Sequence, residues 1–491
     1  MASGSSARLK NRPAGGIPPA PSAPTRPATR FDRSIVEGPI PSVVWKLAWP
    51  TMLQNMIGGL QGIIDHAMVG HFVGYTGNAA IGVAWQIFLV VIVFISSLYT
   101  GMGVLVARFA GAGEADKVNR TVYQAFLTSV ALSVGVLAPL GYLLSPSLLH
   151  LVNATPAVRA EALPYLRIMF LFGFGLMGFF MMSGALRSAG DARTPLRLGV
   201  ALTALNIALN VILIRGLGPI PRLGTAGAAV GTVLAGGLVT AAAIVGLFRG
   251  RWVVALHRDM DWRPDWGIIR SLFRFGLPTG VQGVAMNVAG LMLMRFIGSL
   301  DHSAEAQAAY AVGYIELFSF ITWTSVGLMG ATAAVAGQNL GAGRPDRAAR
   351  APRAAASLGL AVAAGIGLLF LAVPRPLLAG FGMQDPVVLA IGTQLLAFLS
   401  VSGLFVTVAL TYTGALQGTG DTRSPLYISL ISQIAVPLGI CAALQALRGL
   451  GPTDVWLAIV LGHATRCALS VARFRQEKWR SIVLDIGPNQ A

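Results

Sequence analysis

The sequence predicts an all-α membrane protein: twelve transmembrane helices in two homologous six-helix bundles, set as parallel repeats around a central cavity. Three observations carry that expectation. Apolar residues make up 55% of the 491 and charged residues 11%, with a mean hydropathy of +0.69, whereas a soluble domain is about a quarter charged. Twelve apolar stretches approach or exceed the roughly 20 residues that a helix needs to cross a bilayer. Finally, residues 184–196 (GALRSAGDARTPL) return as residues 414–426 (GALQGTGDTRSPL), identical at eight of thirteen positions across a shift of 230. The period of this repeat is about half the chain.

Taken in order, residues 1–41 are rich in Pro, Ala, Ser, Gly and Arg and hold no apolar run. They are expected to form a disordered cytoplasmic tail without a cleaved signal. The first lobe, 42–248, holds apolar segments near 44–71, 80–107, 119–144, 161–186, 194–214 and 226–248. Residues 249–274 carry six Arg and three Trp, which suits a connector at the cytoplasmic membrane interface. The second lobe, 275–474, repeats the pattern near 275–298, 306–336, 354–373, 387–416, 425–446 and 453–474, and 475–491 is a second cytoplasmic tail.

An even number of helices per lobe makes both lobes enter the membrane in the same direction. With both termini cytoplasmic, 28 of the 36 Lys and Arg lie on that side, Arg187 and Arg193 among them, and five lie opposite: Arg159, Arg215, Arg222, Arg375 and Arg448. The positive-inside rule therefore accounts for the net charge of +17, and no nucleic-acid partner is expected. Cys441 and Cys467 both lie in apolar runs, so neither a disulfide framework nor a cysteine metal site is expected. His66 and His463 have no second His or Cys at metal spacing, and with Trp323 they read as packing residues.

Each copy of the duplicated stretch reads as a helical hairpin, in which Gly ends one helix, Asp caps the turn and Pro opens the next helix. Arg193 and Arg423 are expected to meet lipid headgroups or the neighbouring Asp191 and Asp421. At membrane depth ionisable residues are few, and each is a functional candidate. Asp65 lies fifteen residues after Pro50, about 22 Å along a helix, still within hydrocarbon. Asn206 and Asn210, four apart, share a helix face, and Thr232 on the next helix can meet them. Arg295 and Glu316 read either as an interhelical ion pair or as a second-lobe coupling pair.

Several motifs together resemble the MATE (multidrug and toxic compound extrusion) transporters over roughly residues 42–475. They are Pro50 with Ile64-Asp65-His66-Ala67-Met68-Val69-Gly70, the Gly-Ala-Gly loops at 111 and 341, Gly337-Gln338-Asn339-Leu340-Gly341, the two hairpins, Leu205 to Asn210, and Gly227 to Thr232. The resemblance implies two bundles around a cavity that opens alternately to either side, with Asp65 as the helix 1 aspartate used for cation coupling. It also implies a polar network of Asp65 with Asn206, Asn210 and Thr232, as in the DinF-like branch. This chain has Asn210 where many relatives have Asp, which weakens the case for sodium. The NorM-like branch carries acids near the positions of Met286-Asn287 and Val406-Thr407, and here those are not acids.

The expected function is a secondary active antiporter, coupled to protons with sodium coupling as an alternative, that exports organic, cationic or amphipathic compounds from a bacterial cell across its inner membrane. Its expected partners are a small organic substrate and membrane lipids, it acts as a monomer, and it needs no cofactor or metal. Met68, Phe172, Met286 and Asn287 are the expected substrate-cavity residues, and Phe170-Leu171-Phe172, Phe179-Phe180-Met181-Met182 and Met292 to Met294 read either as an adaptable cavity wall or as lipid-facing residues. A lipid-linked-intermediate flippase is the alternative within the wider superfamily. No Walker motif points to ATP. No nucleophile–base pair or HExxH site points to an enzyme, and duplicated bundles serve alternating access better than a fixed channel.

Overall fold

The structure, a computed structural model, describes residues 31–219, 221–257 and 259–483. Twelve long helical rods follow one another: α1 (Ile40–Phe72), α2 (Tyr75–Ala112), α3 (Ala115–Leu151), α4 (Pro156–Phe172 continued by Phe174–Ser188), α5 (Arg193–Arg215) and α6 (Gly224–Phe248) form the first lobe. The second lobe comprises α7 (Trp266–Ile297), α8 (Ser303–Gly341), α9 (Pro345–Ala372), α10 (Pro386–Gly418), α11 (Arg423–Arg448) and α12 (Pro452–Arg475). Among the described residues nine rods are long and apolar enough to cross a membrane alone, and α4, bent by 52° at Gly173, makes a tenth. Of the other two, α1 has 33 residues and α2 has 38, both beyond bilayer length. Leu143, Leu291 and Leu368 are 69%, 70% and 65% exposed, an outer surface that is stable only against lipid.

Most rods overrun the expected apolar segments, and polar caps hold some of the added turns. Asp265 accepts hydrogen bonds from the Gly267 and Ile268 amides at 3.0 and 3.2 Å, so α7 takes up the last nine residues expected of the connector. Asp385 caps α10 in the same way, accepting from Val387 and Val388 at 2.8 and 3.1 Å. Each such bond satisfies an amide that the first helical turn would otherwise leave unpaired.

Both hairpins take the expected form. Gly190 and Gly420 have φ of +102° and +98°, left of the region open to L-residues. Asp191 then accepts from the Arg193 and Thr194 amides at 3.0 Å, and Asp421 accepts from Ser424 at 3.2 Å. The expected Arg193 and Arg423 pairs do not form among the described residues. Backbone amides occupy Asp191, and Asp421 instead pairs with Arg473 of α12 at 2.8 Å.

The lobes meet crosswise at the end of the bundle that carries the hairpins and the described termini, here the near end. The start of α1 (Val44, Leu47, Met52) shares a core with Val335 of α8 and Ala351 of α9, whereas the start of α7 (Ile268, Leu272, Phe275) shares one with Leu98 and Leu105 of α2. Rods α2 and α8 then press backbone on backbone. A β-carbon on Gly111 would lie 1.9 Å from the Gln338 carbonyl oxygen, and one on Gly341 would lie 2.0 Å from that of Arg108. The duplicated Gly-Ala-Gly segments are therefore the two halves of one reciprocal contact.

The tails depart from expectation where they touch this seal. Residues 1–30 and 484–491 lie outside the described residues, but Ser34–Glu37 is a helical turn and Lys478–Ser481 a 3₁₀ turn. Ile35 is fully buried, its carbonyl accepts from Asn339 of α8 at 3.1 Å, and its side chain lies against Gly190. On the other side Ile482 lies against Gly420, and its carbonyl accepts from Arg108 of α2 at 2.6 Å. Each tail thus ties a hairpin to the opposite lobe. Ile35 and Trp479, in stretches too short to show a helical period, help to order these segments, because each buries against the seal and the area removed from water offsets the cost of ordering the chain.

Candidate functional site

A cavity of about 450 Å³ opens in the first lobe between α1, α2, α4, α5, α6 and the facing side of α8. Along α1 it is lined by Gln54, Asn55, Gly58, Gln61, Gly62 and Asp65, a stripe at helical spacing that turns polar and small residues to one face. Its apolar walls are Ile57, Ile81, Trp85, Leu176, Phe179 and Phe180, and Trp323 with Val326 come from α8. Asn55 donates to the Trp323 carbonyl at 3.2 Å, joining the lobes at the cavity's near side. Asp65 is the only acid among the described residues that line it.

Behind Asp65 the expected polar network is present as a chain of hydrogen bonds. Asn210 Nδ2 donates to Asp65 Oδ1 at 2.8 Å and to Asn206 Oδ1 at 3.3 Å. Asn206 Nδ2 donates to Thr232 Oγ1 at 3.1 Å, and Thr232 donates to the Ala228 carbonyl at 2.9 Å. Asn206 and Asn210 are fully buried and Thr232 is 9% exposed. Room for the Asn210 amide comes from Gly231, where a β-carbon would lie 2.0 Å from Asn210 Oδ1. That oxygen has no partner, so the amide presents its donor, not its acceptor, to the carboxyl.

The other sequence-based candidates lie elsewhere. Met68 packs into the first lobe's core, Phe172 is 54% exposed, and neither is part of the cavity wall. Met286 and Asn287 are also absent from it, and Asn287 Nδ2 turns back to the Gly283 carbonyl at 2.9 Å. The helix register explains the correction. Met68 is three residues past Asp65 and on α1's inward side, while the cavity runs from Asp65 back toward Gln54. Among the described residues no hydrogen bond or ion pair joins Arg295 to Glu316.

Several cavity residues went unread in the sequence. Trp323 and His66, read as packing residues, both line the wall, and His66 Nδ1 also lies 2.5 Å from Asn78 Oδ1. Gln61 accepts from Thr203 at 2.7 Å, and Tyr165 and Arg187 complete the lining. For the α1 residues the signal was available: Gln54, Gly58, Gln61 and Asp65 stand at i, i+4, i+7 and i+11. For Trp323, Tyr165 and Arg187 it was not, because their place depends on how the rods pack.

Among the described residues no group of three His, Cys, Asp or Glu is placed to hold a metal ion.

The MatE family profile matches residues 50–212 and 278–441, one match in each lobe. A probable multidrug resistance protein NorM of Deinococcus radiodurans is 31% identical over 441 residues, covering 87% of this chain and 94% of that protein. Another NorM, from Thermotoga maritima, is 28% identical over 447 residues, 88% and 92% of the two chains. The outward-facing structure of a multidrug resistance MATE family transporter of the MOP superfamily superposes with a TM-score of 0.83 at 20% identity, over 91% of this chain and 98% of that one. With a family match in each lobe, the chain belongs to the MatE family of multi-pass membrane transporters, whose relatives are transporters and not enzymes.

Proposed function

We propose that the protein is a secondary active exporter of organic, amphipathic and often cationic compounds, driven by proton entry to Asp65 and working by alternating access. The observation that carries this reading is a single carboxyl that lines the cavity while Asn210 holds its oxygen at 2.8 Å. A charged carboxyl is costly in such a place, so a bound cation or a proton relieves it, and the two compete for one group. Coupling follows if the two occupants favour different states of the lobes.

The names NorM and MdtK among the relatives, which denote multidrug resistance proteins, support a broad substrate range. The network of Asp65 with Asn206, Asn210 and Thr232 supports kinship with the DinF-like branch, and the Asn210 donor favours proton over sodium. Charge asymmetry supports cytoplasmic termini in a bacterial inner membrane; the near-end seal then closes the cytoplasmic side. One chain encloses the cavity, which supports action as a monomer. A lipid-linked-intermediate flippase would want a more cationic cavity than one with Arg187 set against Asp65.

Purified protein in proteoliposomes is expected to move a fluorescent amphipathic cation when a pH gradient is imposed, and to stop on addition of protonophore. Movement driven by sodium at equal pH would replace the proton. Movement with neither gradient would overturn active export.

A further inference from the structure

We propose that Arg187 is an anion subsite of the central cavity, so that the transported compounds include amphipathic molecules bearing a carboxylate, phosphonate or sulfonate. The inference rests on the exporter reading and names a substrate class for it. Arg187 is the fourth residue of the first duplicated hairpin motif, and composition alone places it among the solvated loop arginines. It stands instead on α4, one residue before the rod ends at Ser188, and lines the cavity.

Some arginines of the near end have partners, as Arg473 pairs with Asp421 at 2.8 Å, Arg120 with Asp265 at 2.9 Å, and Arg347 donates to Asn339 at 3.0 Å, whereas Arg193 and Arg423 stand at the hairpin turns outside the cavity wall. Arg187 has no hydrogen-bond acceptor and no carboxylate among the described residues, and Asp191 nearby is taken by backbone amides. A guanidinium on a largely apolar cavity wall without a carboxylate in contact is costly, and its planar fork suits a two-oxygen anion.

One more observation ties the charge to the cavity. The repeat mate of Arg187 at the shift of 230 is Gln417, which is neutral, 8% exposed and not part of the cavity wall. The charge is therefore a property of the cavity and not of the hairpin fold, which both copies share. The same wall carries a cation at Arg187 and a carboxyl at Asp65, together with the aromatic side chains of Phe179, Phe180, Trp85 and Trp323.

The test uses two xanthene dyes, both amphipathic cations, that differ in a free carboxylate against its methyl ester. Binding to the purified full chain is read by fluorescence polarisation without any gradient, so the result does not depend on proton coupling. Wild-type protein is expected to bind the carboxylate dye more tightly than the ester. Arg187→Gln, which installs the residue of the repeat mate, should weaken the carboxylate dye about tenfold or more and leave the ester within about twofold. Arg187→Lys should retain part of the preference.

Equal weakening of both dyes would make Arg187 a structural residue and overturn the proposal, as would no weakening of either. Should the glutamine variant fail to fold, the wild-type ratio decides, and an ester bound as tightly as the carboxylate sinks the subsite. In nanodiscs, displacement of the carboxylate dye by phosphatidylglycerol but not phosphatidylcholine would assign the site to a lipid headgroup and overturn the solute reading. Failure of both dyes to bind would sink the exporter reading as well.

Discussion

The two lobes are alike where the protein closes and unlike where it holds charge. At the near end every device is doubled: Gly111 against Gln338 and Gly341 against Arg108, Ile35 on Gly190 and Ile482 on Gly420. In mid-membrane the doubling stops. At the shift of 228 set by Pro50 and Pro278, Asp65 becomes Leu293, and at the shift of 230, Asn206 and Asn210 become Val436 and Ile440. Neutral contacts stand in the second lobe, as in Ser325 with Thr407 at 2.8 Å and Gln282 with Ser429 at 2.7 Å. On the proposed mechanism the mechanical parts come in pairs because two lobes that rock against each other need matched surfaces, and the chemical part is single because one carboxyl would suffice to exchange a proton for a cation.

The largest expected effect comes from breaking a paired part. Gly111→Val drives a branched side chain into the Gln338 carbonyl, a contact of backbone on backbone with nothing to give way, at a cost of about 1–3 kcal/mol or more. Export is expected to fall to background, and a cysteine placed near the hairpins should become open to a membrane-impermeant thiol reagent from the cytoplasmic side. Unchanged export and labelling would mean that the seal is not needed.

Breaking a single part should cost less and act differently. Asn210→Leu removes the donor to Asp65 without adding polarity to the membrane, a loss of roughly 1–3 kcal/mol at the site, or about ten- to a hundredfold in coupled export. Membrane insertion should be normal. Equal export by variant and wild type would reduce Asn210 to helix packing.

The second lobe supplies the control. Thr407→Val deletes the hydroxyl that meets Ser325 and keeps the side-chain shape, so thermal stability should drop by about 1–3 kcal/mol while the ratio of protons to substrate stays as in wild type. A changed ratio would bring the second lobe into the coupling chemistry.

Much of this was legible in the sequence, for identifiable reasons. Apolar length fixes a transmembrane helix, because lipid leaves the backbone no other partner, and so all twelve rods stood near their expected bounds. The face shared by Asn206 and Asn210 was legible because four-residue spacing fixes it, whereas its meeting with Asp65 was implied only by the resemblance to the family. The cavity wall was not: Phe172 and Phe179 are alike in composition and only the bend of α4 and its packing separate the exposed one from the lining one. Arg187 was misread because it belongs to a motif whose other copy has no such charge. The ordered tails were misread because stretches so short show no helical period.

The central claim is that Asp65 alone carries the exchanged proton, and proton flux in proteoliposomes tests it most directly. A pH-sensitive dye inside the vesicles reports proton movement when an amphipathic cation is added outside. Asp65→Asn, which keeps the volume and the neutral form of the side chain, should bind substrate measurably yet give no substrate-linked proton flux and no gradient-driven transport. Proton flux at the wild-type rate in Asp65→Asn would contradict the account and send the search to Glu316.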